Sequence, residues 1–238
     1  MKPAQTLFLV LFCFAAAVNL WAEITQWQWG IYLSKPLLMT LLGLYFFAAT
    51  QIKTGFSRKI LGGLAFSLAG DTLLMFNAPG REYFFLLGLS AFLCAHLFYI
   101  LAFSGYEKNK HGAFHQRPLL AVPFFIFLAG LLTWLWPGIP AGLKIPVTVY
   151  STVIIAMSMA CFQLRTKIEG KLFSGLFAGV LLFVISDSLI AISKFYPGDQ
   201  AIPEFIRPLI MITYIAAQYF IASRCIEMEK MMTRSFTE

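Results

Sequence analysis

The sequence predicts an all-α polytopic membrane protein with about eight crossings, and three observations predict it. Of the 238 residues, 59% are hydrophobic and only 12% are charged, against roughly 45–50% and about 25% in soluble domains. Apolar stretches near the ~20 residues needed to cross a ~30 Å hydrocarbon core recur along the whole chain. None of them alternates as a barrel strand does, so each must satisfy its own backbone hydrogen bonds as a helix. No polar segment is long enough for a separate domain, and residues 1–238 read as a single integral membrane domain.

The first span, residues 6–21, follows Lys2; a cleaved signal peptide is its alternative reading, because small residues at 15–17 end the apolar core. The second, 31–50, opens with Lys35 and Pro36. The third, 60–76, carries Asp71 and closes at Asn77, and the fourth, 83–103, carries His96 and Tyr99. The fifth, 119–136, offers no candidate, and the sixth, 145–164, holds Tyr150 about five residues in. The seventh, 172–192, carries Asp187; the eighth, 205–223, carries Tyr214 and Gln218 one turn apart.

With eight crossings, thirteen Lys and Arg fall on one side, Lys2 and Lys108 among them, and five on the other: Lys35, Arg81, Lys144, Lys194 and Arg207. The richer side is cytoplasmic by the positive-inside rule, which places both termini there. The net charge of +7 then reflects topology and attraction to anionic headgroups of the lipid bilayer, and needs no nucleic-acid partner. Cys13, Cys94, Cys161 and Cys225 fall in or at the end of apolar spans without a CxxC pair, the expected setting of buried free thiols.

Loop charges need no special account, whereas intramembrane carboxylates do. An ionised Asp at mid-membrane costs about 2.5–3.5 kcal/mol on the most lenient scale. Asp71 lies in Ser67-Leu68-Ala69-Gly70-Asp71-Thr72 and Asp187 in Ser186-Asp187-Ser188. Each sits about five residues before the outer end of its span, roughly 7–8 Å at 1.5 Å per residue. At equal depth on neighbouring helices the two cannot both ionise easily, which leaves one as acid and one as base. Separate hydrogen bonds to neighbouring helices, as packing glue, are the alternative.

Lys35 is placed to hold a carboxylate ionised, to bind a phosphate, or simply to snorkel. Tyr150 suits the site or the interface belt of aromatics. His96 falls about 10 Å below the Asp level on straight helices and needs tilt or a water chain to act with it. Tyr214 and Gln218 line the same cleft or bond helix to helix. GxSxG, HExxH, P-loop and Rossmann glycine patterns are absent, and Leu68 stands where a GxGD motif needs glycine. His111 and His115 lie i, i+4 in a Lys-rich loop without a third ligand, so no metal and no cofactor is expected. The two Asp segments, offset by 116 residues, and the Lys-Pro openings Lys35-Pro36 and Lys144-Ile145-Pro146 suggest a four-plus-four internal repeat.

Lys35-Pro36-Leu37-Leu38-Met39, Gly70-Asp71, Ala95-His96-Leu97-Phe98-Tyr99, Tyr150 with Met157, Ser186-Asp187-Ser188 and Tyr214 with Ala217-Gln218 form an ordered set from the second span onward. That set resembles the YhhN-like lysoplasmalogenase family. The resemblance implies an eight-helix ether hydrolase that cleaves the vinyl ether bond of lysoplasmalogens, yielding a fatty aldehyde and a glycerophospho-ethanolamine or -choline. It implies Asp71 and Asp187 as the catalytic pair, and contacts to a lyso-ether phospholipid substrate or to water from Lys35, His96, Tyr99, Tyr150, Tyr214, Gln218 and Asn77. A bacterial inner membrane is the expected location. A proton-coupled transporter, or a lipid-binding protein, that uses the same carboxylates is the competing expectation.

Overall fold

A computed structural model describes residues 3–106, 110–196, 203 and 205–234. Lys2 and Lys108, counted above for orientation, lie outside the described residues. The chain is helical, with no strand among the described residues. The helices are α1 (Pro3–Ile24), α2 (Gln28–Thr50), α3 (Gly55–Met75), α4 (Tyr83–Gly105), α5 (Ala113–Gln116), α6 (Val122–Leu135), α7 (Lys144–Phe162), α8 (Gly170–Phe195) and α9 (Ile206–Arg234). Short 3-10 turns extend α6 at both ends.

Each expected span has its helix, and among the described residues seven segments are long and apolar enough to cross a membrane. The exception is α3, of 21 residues, which carries Arg58, Lys59 and Asp71 and four glycines and is less apolar than the rest. It packs among α2, α4 and α9. The last helix, α9, runs eleven residues past the expected end at 223, because Glu229 is held inside the protein. Its carboxylate accepts from the Thr54 amide at 3.1 Å, the Thr54 hydroxyl at 2.6 Å and the Ser57 hydroxyl at 2.8 Å. Those donors form the N-terminal capping box of α3, so the acid also meets the positive end of that helix.

Between helices in lipid, tight packing has to come from small residues and hydrogen bonds. A Cβ on Gly70 of α3 would come within 2.5 Å of the Phe92 ring on α4, and one on Gly179 of α8 would meet the α9 backbone at Ala217 O and Ile221 N, both 3.1 Å away. Asn19 of α1 donates to Ser34 of α2 at 2.9 Å, and Ser186 of α8 donates to the Ile210 carbonyl of α9 at 3.1 Å. α9 thereby becomes the central post, in contact with α1, α2, α3 and α8. α6 is peripheral: Leu135 is its one buried residue. Both Asp-bearing helices pack on the helix that follows, α3 on α4 and α8 on α9, but α1–α2 is a far closer pair than α6–α7. Of the four free cysteines, Cys161 and Cys225 are buried; Cys13 is exposed on α1 and Cys94 is partly so, a correction to the expectation that all four are.

Candidate functional site

Short connections make successive long helices antiparallel, so α3 and α8 run one way and α4, α7 and α9 the other. Side chains lean toward the N-terminus of their own helix. Carboxyls on α3 and α8 therefore lean toward tyrosine and histidine side chains coming from the opposite direction. Tyr214 on α9 donates its hydroxyl to Asp71 Oδ2 at 2.6 Å, and Tyr150 on α7 donates to Asp187 Oδ2.

The same lean corrects the expected depth of His96. Its Nε2 lies 3.8 Å from Asp187 Oδ2, without a water chain to bridge 10 Å. The straight-helix estimate compared Cα heights and left out the opposed lean of side chains on antiparallel helices, which shortens the separation. His96 is fully buried, its ring meets Tyr150 and Phe183 edge-on at 5.3 and 5.0 Å, and neither nitrogen has a hydrogen-bond partner.

The two aspartates are not equivalent. Asp71 is 3% exposed, and its tyrosine belongs to a closed network: Gln218 donates to Ser67 Oγ at 2.9 Å and to Tyr214 Oη at 3.4 Å, and Tyr99 donates to Gln218 Oε1 at 2.9 Å. Tyr99 and Gln218, expected to touch substrate, are fully buried in this network and do not line the cleft. Asp187 does line it, with Tyr150, Ser151 and Ser188 as the other polar groups among otherwise apolar walls. The cleft is narrow, a cavity of about 60 Å³. The two carboxyls are joined through side chains: Tyr214, bonded to Asp71, meets Phe183, which meets the His96 ring beside Asp187. They share no hydrogen bond; α3 and α8 both pack against α9. The rings of Phe92, Phe183 and Tyr214, mutually edge-on at 5.6–6.4 Å, fill the space beside them.

Two further spaces adjoin the cleft. At one end it shares Leu74, Phe85 and Ile190 with a polar vestibule that holds Lys35 and Asn77. On its flank it shares Phe127, Ile155 and Val184 with an apolar groove between α6, α7 and α8. Glu23, Lys194 and Arg207 of the vestibule are missing from the expected site. Lys194 and Arg207 entered the sequence reading only as topology charges, and Glu23 not at all; their position at span ends was the available signal. No group of three or more His, Cys, Asp and Glu side chains able to hold a metal occurs among the described residues.

Comparison with known proteins adds the lineage. Residues 30–225 match the model of the YhhN family. The chain belongs to the YhhN family. It is similar to proteins named lysoplasmalogenase: one from Mycobacterium tuberculosis (strain CDC 1551 / Oshkosh), 35% identical over 147 residues, covers 61% of this chain. Lysoplasmalogenase TMEM86B of Sus scrofa is 32% identical over 213 residues, 89% of this chain and 83% of that protein. Lysoplasmalogenase TMEM86A of Homo sapiens is 32% identical over 176 residues, 71% and 65% respectively. The match spans about half, 53%, of the mycobacterial protein's length. No solved structure matches this YhhN-family chain. Together with the apolar helices, the family relationship makes it a multi-pass integral membrane protein.

Proposed function

We propose that this YhhN-family protein is a lysoplasmalogenase that hydrolyses the vinyl ether bond of a single-chain ether phospholipid through Asp187, with Asp71 as the second carboxyl of the site. The observation that carries the reading is a tyrosine-held carboxyl lining an otherwise apolar cleft, in a chain whose relatives bear that name.

The chemistry needs little else. The Asp187 carboxyl gives its proton to the carbon β to the ether oxygen; the π electrons of the double bond form the new C–H bond, and the adjacent carbon becomes an oxocarbenium ion. The carboxylate left behind faces that cation, with the Tyr150 hydroxyl stabilising its new charge. Water attacks the cation and yields its proton to the carboxylate, with His96, 3.8 Å from the same oxygen, orienting it. The hemiacetal C–O bond then breaks, the proton passes to the glycerol oxygen, and aldehyde leaves. One water is consumed. Asp71, fixed by Tyr214, adds a second negative charge near the developing cation. The alkenyl chain lies in the apolar groove beneath α6, whose loose packing provides entry from the bilayer. The bundle sits in a bacterial inner membrane with both termini cytoplasmic and the vestibule facing outward.

The test is aldehyde release by purified protein from a lysoplasmalogen beside a saturated lyso-ether lipid, with Asp187→Asn and Asp71→Asn. Aldehyde from the vinyl ether alone, abolished by Asp187→Asn in a folded variant, is expected. No turnover by folded wild-type protein overturns the reading and directs attention to proton-coupled transport through the same carboxylates.

A further inference from the structure

Three phenylalanines from three helices close one end of the apolar groove between α6, α7 and α8. The rings of Phe124 on α6 and Phe162 on α7 lie 5.6 Å apart, those of Phe162 and Phe177 on α8 5.3 Å apart, and those of Phe124 and Phe177 6.4 Å apart. Behind them Phe114 stacks on Phe162 at 5.5 Å and Phe173 on Phe177 at 5.4 Å. Rings packed edge-on and stacked in this way hold one another in place. The triangle is remote from the carboxyl: Phe177 precedes Asp187 by ten residues on α8, and Phe162 follows Tyr150 by twelve on α7. Those spacings are roughly 15 and 18 Å at about 1.5 Å per residue.

The other end of the groove opens into the cleft that holds Asp187, through Phe127, Ile155 and Val184, which line both. Among the described residues its walls carry one polar side chain, Ser158, whose hydroxyl donates to the Ile154 carbonyl of its own helix at 3.1 Å. Walls with no hydrogen bond to offer suit a hydrocarbon and reject a peptide, whose backbone groups would be buried unsatisfied. The length fits too. Roughly 15 Å is half of the ~30 Å hydrocarbon core, the depth that one lipid chain occupies in its leaflet.

We infer that the triangle of Phe124, Phe162 and Phe177 determines the chain length of the lipid that the site accepts. The chain of a single-chain ether lipid leaves the cleft past Ile155 and Val184, runs along α8, and ends with its methyl group against these rings. The inference rests on the lysolipid reading above and adds to it the residues that select among chains. A chain that ends at the rings fills the groove. A shorter one leaves a void whose lining loses its contacts. A longer one has to buckle, or leave the groove for the bilayer and draw its ether bond away from Asp187.

The experiment measures binding of saturated 1-O-alkyl lysophosphoethanolamines, lengthened two carbons at a time from decyl to docosyl, to the purified full chain in detergent. Each competes at fixed mole fraction with a radiolabelled hexadecyl lipid. In micelles every chain starts from apolar surroundings, so the fit to the groove, and not the hydrophobic effect, separates them. Wild-type protein is expected to show a maximum within the series and to bind the longest chain about tenfold or more weakly than the best, the order of an overpacked core. Phe177→Ala opens the far end and moves the maximum to longer chains. Leu181→Trp sets an indole in the groove between Asp187 and Phe177, at a residue 41% exposed, and moves the maximum to shorter chains; it decides the matter alone if Phe177→Ala does not fold. Phe125→Ala, on α6 but off the groove wall, leaves the maximum in place. A flat wild-type profile, a maximum unmoved by Leu181→Trp, or an equal shift in Phe125→Ala overturns the assignment. Since none of these lipids carries a vinyl ether, the two readings fail separately. A length optimum without aldehyde release from lysoplasmalogen sinks the hydrolase alone, and aldehyde release with a flat length profile sinks the chain-length determinant alone.

Discussion

Replacing Tyr150 by Phe removes one oxygen atom and tests the proposed chemistry directly. The ring stays, and with it the edge-on contact to His96 at 5.3 Å; only the hydroxyl that donates to Asp187 is lost. A hydrogen bond to a charged group is worth about 1.5–3 kcal/mol net. In the proposed first step the Asp187 carboxyl gives up its proton, so the hydroxyl acts on a carboxylate whose charge is born in the transition state. An interaction that strengthens as the barrier is climbed lowers kcat rather than only raising KM. At about 1.4 kcal/mol per decade, kcat for aldehyde release should fall roughly 10- to 150-fold, with KM changed less. Steady-state aldehyde formation from a lysoplasmalogen in detergent, followed through a coupled aldehyde dehydrogenase, reads both constants. A folded Tyr150→Phe protein with unchanged kcat would refute the assignment of Asp187 as proton donor.

Asp71→Asn keeps an acceptor for the Tyr214 hydroxyl at 2.6 Å and lies off the cleft wall, so it should fold, lower kcat through the lost charge, and leave binding of a saturated lyso-ether lipid within about twofold, within the spread of roughly 0.5 kcal/mol expected away from a contact; binding assays on the purified variant check this. Glu229→Ala takes the acceptor from the Thr54 hydroxyl, while the Thr54 amide and Ser57 hydroxyl keep their second partners within the capping box; at about 1–3 kcal/mol for one unsatisfied group it should lower the melting temperature in detergent. Gly179→Ala pushes a methyl against α9 backbone at 3.1 Å; backbone cannot turn aside as a side chain can, so a loss of about 1–3 kcal/mol is expected by thermal unfolding, with lower activity because α8 carries Asp187.

Several site residues were visible one by one. Asp71 and Asp187 stand out because a charge inside an apolar run has few inexpensive explanations, and Tyr150, His96 and Tyr214 because polar atoms at that depth need partners. Their grouping was not visible. Tyr99 and Gln218 read as substrate contacts, yet they brace Tyr214 from behind. His96 read as too deep, because Cα spacing ignores the opposed lean of side chains on antiparallel helices. Arg207 read only as a topology charge and Glu23 drew no reading, since nothing local reveals that four helix ends surround one opening.

The sequence by itself determined the helices and the intramembrane acids: lipid leaves a backbone no way to satisfy itself except within its own segment, and it makes any buried carboxyl conspicuous. Only the tertiary structure decided which tyrosine serves which aspartate, and that Asp187 faces the cleft while Asp71 is sealed behind it. The reason is rotational. A helix in water shows its inner face by its apolar stripe, but in a membrane both faces are apolar. The azimuth of each helix is set by close contacts such as Gly70 against Phe92 and Gly179 against α9, which exist only once the helices are packed.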